Sequence, residues 1–542
     1  MRSVKSLFTL TAILLTIGPG LFSCLDDQPR DRLSEAQVFD SPASLYLNTV
    51  GELYNYIGGE ADGNGLQGTY RGVYDYNTFT TDEAIIPIRG ADWYDGGFWQ
   101  RLYRHEWSAD DQELYTLWCY LYKVVVLCND ALGRLDKHRS LLTTGQYESY
   151  RAEVRAIRAM FYYYLIDLFG NVPLLTAPES KVNRVTNTRR SEVFSFAFDE
   201  LQTVAPQLAP TPSHHMGNYY GRLTRPVAYF LLAKLALNAE VFSCDNPTTT
   251  ARKAGRDIYF TVNGVQMNAW QTVIHYCNRI ADLGYRLENN YADNFKIHNE
   301  NSAENIFTIP MDKHLYANQY QYLFRSRNYH HGKALGLGSE NGACATLSTV
   351  RAFGYGTPQV DHRYALNFYS DTILVDGDTV RLDDGTPLVY QPLEVQCNLS
   401  ASRYIKTAGA RMSKYEIDRK AFFDGKLQDN DIVLYRYADV LLMLAEAKVR
   451  NGQNGDAELH LVRARAGMGP RTATLDNILA ERLLELMWEG WRRQDLIRFS
   501  KFTQAYDLRT PLTGESNGHT TLFPIPNRAI GANKRLQPNS AF

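Results

Sequence analysis

Arg89–Arg101 (RGADWYDGGFWQR) sets Trp93, Tyr94, Phe98 and Trp99 within seven residues, among Asp92, Asp95 and two glycines. Aromatic side chains offer flat apolar faces with a polar edge. Such faces suit sugar rings, whose C–H surfaces are apolar while their hydroxyls need hydrogen bonds. Trp93 and Tyr94, flanked by Asp, are expected to form a platform, whereas Phe98 and Trp99 fit equally well as plugs into a scaffold. A second aromatic run, Tyr316–His331 (YANQYQYLFRSRNYHH), carries Tyr316, Tyr320 and Tyr329 and leads into the Gly-rich Gly332–Cys344. Arg89, Arg325 and Arg327 add forked donors for hydroxyl or carboxylate oxygens.

Catalytic signatures are missing. The sequence has no HExxH, no GxxxxGK[ST], no GxSxG elbow and no GxGxxG after a strand. His330 and His331 are adjacent and lack a partner at helical spacing, which argues against zinc. Asp82-Glu83, Asp92 with Asp95, and Asp110-Asp111 are carboxylate pairs of the kind any acidic loop yields. A glycosidase needs two such groups facing each other across a cleft. Asp110 and Asp111 fit the first turn of a helix, where the dipole favours them. No enzyme and no cofactor are expected, although the acidic loops leave room for a Ca²⁺ ion.

The 57 Lys and Arg against 59 Asp and Glu argue against a nucleic-acid binder, which normally carries a basic excess. Met1–Phe22 has the form of a secretory signal: Arg2 and Lys5, then the apolar run Leu7–Ile17, then Gly18-Pro19-Gly20. Leu21-Phe22-Ser23-Cys24 follows the pattern of a bacterial lipoprotein signal, with Cys24 acylated as the mature N-terminus. More than one acyl chain gives stable membrane anchoring. No later stretch is apolar for 18 residues, so no transmembrane helix is expected. The seven Cys include no CxxC pair. Cys119 and Cys128 lie roughly 13 Å apart along one expected helix, too far to bridge.

The remaining pattern must position these loops. Ser41 and Pro42 open a helix to about Tyr54. From Ser108, Leu114, Leu117, Leu121, Val124, Cys128, Leu132 and Leu135 recur at helical spacing. Tyr147–Phe169 makes a second helix and a hairpin with the first. Ser191–Val204 pairs with Pro226–Phe242, Trp270–Leu283 is another helix, Ile432–Asn451 pairs with Asp456–Ala466, and Leu475–Lys501 is a long last helix. Several amphipathic hairpins predict an all-α scaffold of tetratricopeptide type. Between Leu287 and Asp431 the helical signal fades. Ile373–Val375, Val380–Leu382 and Leu388–Tyr390 are strand candidates around Asp376-Gly377 and Asp384-Gly385 turns. Long loops on a rigid scaffold are where binding residues concentrate.

Several blocks together resemble the SusD/RagB family of surface lipoproteins. They are CLDDQP after the signal, EVRAIRAMFYYYLIDLFGNVPLL (Glu153–Leu175), SAENIFTIP (Ser302–Pro310), LYRYADVLLMLAEAKVR (Leu434–Arg450), ERLLELMWEGWRRQDLIRFSKF (Glu481–Phe502) and FPIPNRAIGANKRLQPN (Phe523–Asn539). The resemblance implies a scaffold of four tetratricopeptide-like hairpins carrying an irregular binding region. It implies an outer-membrane, cell-surface, lipid-anchored protein that captures oligosaccharides. Its partner would be a TonB-dependent, SusC-like transporter, over which it acts as a lid. A minority of such proteins take peptides. Asp26 and Asp27 resemble the acidic signal that directs these lipoproteins to the surface, and the DWYDGG block resembles a branch that includes fructan-type binders.

The expected layout is a signal at 1–23 and one body at 24–542. That body divides into most scaffold hairpins to about 286, the binding insertion at about 287–431, and C-terminal helices from about 432. By resemblance, Asp62, Asn64, Asn341 and Cys344 join the candidate contacts. The candidate ligand-binding set is then Asp62, Asn64, Asp82, Arg89, Asp92, Trp93, Tyr94, Trp99, Tyr316, Tyr320, Tyr329, Asn341 and Cys344.

Overall fold

In the computed structural model, residues 38–59, 65–67, 70–178, 184–316 and 318–539 are described. The apolar stripe beginning at Leu114 builds helix α1, Gln112–Lys137, with Leu114, Leu117, Leu121, Val124, Cys128, Leu132 and Leu135 buried along one face. Thr143 and Gln146 form a reciprocal capping box that starts α2, Thr144–Phe169. Gly170 ends α2 at φ +74°, and a Cβ there would lie 2.7 Å from the Leu522 side chain, so only glycine fits. The scaffold continues through α3 (Arg190–Val204), α4 (Arg225–Leu237), α5 (Ala269–Ala281), α6 (Tyr437–Arg450), α7 (Asp456–Arg465), α8 (Leu475–Leu486) and α9 (Arg492–Arg498). Each helix from α1 to α7 packs on the next, and α8 packs on α6. This is a stack of antiparallel hairpins of tetratricopeptide type.

The expected helix near Ser41 is present, with Pro42–Tyr46 and Glu52–Gly58 as α-helix and a π-helical turn at Leu47–Gly51 between them. Other expectations change. Pro226–Phe242 is interrupted at Asn238, whose side chain donates to Lys234 O at 2.9 Å. The first five residues of the expected helix Ile432–Asn451 form a strand instead. This strand, β2 (Ile432–Arg436), pairs antiparallel with β1 (Asn305–Ile309). All five residues are buried, so neither face shows the alternation that marks an exposed strand.

The expected last helix, Leu475–Lys501, breaks between α8 and α9. Trp488 and Gly490 adopt φ of +66° and +73°. The Trp488 N–H donates to Glu83 Oε1 at 2.6 Å, and Glu489 turns inward to Arg436 and Lys414. Arg436 also meets Glu304 and Glu485, while Arg363 meets Asp361, Glu481 and Glu485. A buried charge is tolerable only when paired in this way. The network locks β1, β2 and α8 to the loops that cross the scaffold.

Between α5 and α6 the chain is loops and two-residue strands. Leu374–Val375 pairs with Asp378–Thr379 across Asp376-Gly377, both at positive φ (+54° and +90°), as a tight hairpin demands. Arg381 bridges Pro387 around the Asp384-Gly385 turn. Among the described residues no helix is long and apolar enough to cross a membrane. Cys119 is exposed and Cys128 buried, and both are free thiols.

Candidate functional site

The Arg89–Gly97 loop is pinned from inside. Arg89 and Asp92 exchange backbone hydrogen bonds around Gly90, which sits at φ +70°. The Arg89 guanidinium is buried and donates to Gly342 O at 3.3 Å, Ile405 O at 2.9 Å and Ala408 O at 2.9 Å. It therefore ties the loop to two segments of the middle insertion and is not a ligand contact. Burial, with nearby Arg411 second, pushes its pKa down to about 9.

Trp93 sits at φ +64°, a conformation costly for a bulky residue. Only 8% of its surface is exposed, and its indole N–H donates to Glu340 O at 2.9 Å. A Cβ on Gly342 would lie 2.5 Å from the indole ring, so Gly342 is what lets Trp93 pack there. The expected platform at Trp93 is therefore corrected to a wedge. Its neighbour Tyr94 takes the outward direction, with 57% of its surface exposed. Asp95 accepts from Trp99 Nε1 at 2.8 Å and pairs with Arg71 at 3.0 Å. Gly96 and Gly97 then turn the chain at positive φ into the helix Phe98–Arg104.

Trp99 is fully buried. It meets Tyr70, Phe79, Trp93 and Phe98 at centroid distances of 4.8 to 6.1 Å, mostly edge to face. Of the two roles open to it, the structure selects the plug. Arg325 sits in the same cluster, over Tyr70, Phe79 and Trp99, and clasps Asp75 with both arms of its guanidinium. It is thus engaged inside the fold and not offered to a ligand. Tyr320 is buried against Tyr415 at 4.7 Å. Cys344 is buried opposite Ile85 in a two-residue strand pair. Asn341 turns at φ +54° with its backbone N–H on Arg327 O. Asp82 pairs with Arg492 at 2.7 and 2.8 Å. None of these four presents a free group to solvent. Cys24, Asp62 and Asn64 lie outside the described residues.

The candidates left at the surface are Asp92, Tyr94, Tyr316 and Tyr329. Tyr329 is 46% exposed and donates its hydroxyl to Asp92 Oδ2 at 2.9 Å, which joins the two aromatic stretches of the sequence. Tyr316, 39% exposed, stands apart from that pair and adjoins exposed Leu315.

From Tyr329 the surface runs on into residues the sequence did not single out. His330 Nε2 lies 2.8 Å from Asp383 Oδ1, and Lys406 Nζ donates to Asp383 Oδ2 at 2.9 Å. Those contacts, Lys406 foremost, hold the Asp383 carboxyl down at about 2. Asp383 and Lys406 are walls of a pocket of about 460 Å³, shared with Asp384, Gln391, Arg403 and Tyr404. Its lining residues Ile405–Thr407 lie in the segment whose Ile405 and Ala408 carbonyls Arg89 grips. The signal missed was Ala401–Lys406 (ASRYIK), where Arg, Tyr and Lys lie close together in a non-helical stretch. Among the described residues no group of three or more His, Cys, Asp or Glu could hold a metal ion.

A helical-hairpin scaffold whose long insertion builds a loop-lined surface site defines the class of protein. Comparison with known proteins narrows it. A model described as the SusD family matches residues 303–542, and one described as starch-binding, associating with outer membrane, matches residues 64–237. The chain belongs to the SusD/RagB family. It is similar to the starch-binding protein SusD of Bacteroides thetaiotaomicron, at 22% identity over 603 aligned residues covering 100% of this chain and 99% of that protein. The SusD-like protein P38 of Formosa agariphila is 23% identical, with full coverage of both chains. Among solved structures, surface glycan-binding protein A from Bacteroides thetaiotaomicron, in complex with laminarihexaose, superposes with a TM-score of 0.69 at 21% identity, covering 91% of this chain and 98% of that one. A SusD superfamily protein from Bacteroides vulgatus gives a TM-score of 0.69 at 19% identity, covering 93% and 100%. At these identities the structural likeness establishes the fold.

Proposed function

We propose that this chain is a surface-exposed, glycan-binding lipoprotein of the outer membrane that captures oligosaccharides. It delivers them to a partner TonB-dependent, SusC-like transporter, over which it acts as a lid. The observation that carries the binding role is the hydrogen bond from exposed Tyr329 to Asp92, on the loop that also exposes Tyr94, continuous through His330 with the polar pocket at Asp383–Tyr404. Two half-exposed rings on pinned loops can stack on sugar faces with little loss of freedom, because their backbone is already fixed. The pocket supplies Gln391, Arg403 and the Asp384 carboxylate for hydroxyls.

The starch-binding and laminarihexaose-bound relatives support a carbohydrate ligand, and the ligand-bearing part is the insertion at about 287–431 together with the Arg89–Gly97 loop. The protein binds and releases without cleaving. Both oxygens of Asp383 are engaged, so it is poorly placed to serve as a nucleophile or acid. Isothermal titration of the mature protein against a glycan panel tests this. At least one oligosaccharide should bind and leave the calorimeter uncleaved. Binding of peptides but of no glycan, or release of reducing ends, would overturn it.

A further inference from the structure

The charges around the pocket are unevenly matched. Beneath the lining segment's backbone, Arg89 donates to Ile405 O and Ala408 O, and Arg411 donates to Lys406 O at 3.3 Å as well as to Ser326 O at 2.7 Å and Gly409 O at 3.2 Å. Both guanidiniums are buried, and neither has a carboxylate within ion-pair distance among the described residues. Arg327 is buried close by without such a partner, and its Nε and Nη1 make no hydrogen bond. Burial, then Arg327 and Arg411, pushes the pKa of His331 down to about 3, so that imidazole stays neutral. Unpaired buried cations act over several ångströms, because little water lies between them and the pocket to screen them.

On the pocket wall Arg403 stacks over the Tyr404 ring, 4.5 Å from its centroid, and donates to the Tyr404 hydroxyl. It too has no carboxylate partner among the described residues. Most of the acidic side is already engaged. Asp383 receives Lys406 and His330, and Asp384 Oδ1 accepts the Thr386 N–H and hydroxyl, which leaves Asp384 Oδ2 as the open acceptor. A neutral sugar would find few free acceptors here, whereas an anionic group would find a planar, pre-stacked guanidinium on a segment gripped by two buried guanidiniums without carboxylate partners.

We infer that the glycan taken by this pocket is acidic, carrying a carboxylate or a sulfate that faces Arg403. This rests on the glycan-binding role proposed above and names its substrate class. Guanidinium forks match both anions geometrically. The test is calorimetry on the mature protein with an oligogalacturonide, a sulfated galactan oligosaccharide, and neutral laminari- and fructo-oligosaccharides of matched length, at low and high salt.

One acidic oligosaccharide should bind about tenfold more tightly than the neutral ones, as expected for a charge-assisted hydrogen-bonded pair. The advantage should shrink at high salt. Which acidic probe binds distinguishes carboxylate from sulfate. Arg403→Gln should remove the preference while melting temperature and circular dichroism stay unchanged. Neutral oligosaccharides binding as tightly as both acidic ones would overturn the inference, as would a preference that survives Arg403→Gln. If neutral glycans bind at least as tightly as both acidic ones and Tyr94→Ala weakens that binding, glycan capture stands and acidity falls. If no glycan of either kind binds, both fall.

Discussion

Trp93 turns its indole inward and Tyr94 turns its ring to solvent, and substitutions should separate them. Tyr94→Ala should weaken oligosaccharide binding by about tenfold, the cost of one lost stacking face, and leave the melting temperature unchanged. Trp93→Ala empties a packed site against Gly342 and should cost about 3–5 kcal/mol of stability, visible in denaturant unfolding. A Tyr94→Ala protein with wild-type affinity for every bound glycan would remove the stacking role. Arg325→Met should be more disruptive than its conservative size suggests. It strands Asp75 in the interior, and losing one partner of a buried pair costs about 3–5 kcal/mol. Had the Arg325–Asp75 clasp no structural role, denaturation midpoints of the variant and the wild type would coincide.

At the level of elements, the break between α8 and α9 rests on Glu83. Burial pushes the Glu83 carboxyl up to about 8 from its usual 4.5, against the lowering effects of the Trp488 N–H, Arg492 and Lys414. The folded protein therefore holds a proton that the unfolded chain releases above about pH 4.5. Stability must then fall as pH rises from about 5 toward 8. Between pH 5.5 and 7.5 this loss should be on the order of 2 kcal/mol, and Glu83→Gln should flatten the profile. Chemical denaturation of both proteins across that window measures it, and parallel profiles would show that Glu83 is ionised when folded.

The same elements explain what sequence could reveal. Helical period exposed α1, α3 and α5, which bury one stripe and wet the other, and length with apolar run marked α2, α4 and α6, which are buried over most of their surface. Periodicity failed at Ile432–Arg436, a short buried strand without alternation that runs straight into α6, and at Trp488, where a positive φ on a bulky residue ends a helix. In the site, composition located the Arg89–Arg101 loop and the insertion. It could not tell a ring that plugs a cavity from its neighbour that faces solvent, since Trp93 and Tyr94 differ only in backbone direction. The Asp383–Tyr404 pocket stayed hidden because its walls meet only after the chain folds back.

For the whole molecule, the scaffold and its ion network hold one rigid face on which the loop site is displayed. The proposed lid role would require the chain to swing relative to a barrel and yet remain at the membrane, which a lipid on Cys24 would allow. Cys24→Ser should move the protein from the membrane fraction to the soluble fraction and remove the acyl mass from its N-terminal peptide. Unchanged membrane retention would refute the anchor. In the proposed function, the exposed rings beside the Asp383–Tyr404 pocket hold a glycan. A crystal structure with the best-binding oligosaccharide from the panel tests it most directly. Sugar density stacked on Tyr94 or Tyr329 and entering the pocket toward Arg403 is the predicted result, and an oligosaccharide bound on a different face of the scaffold would contradict it.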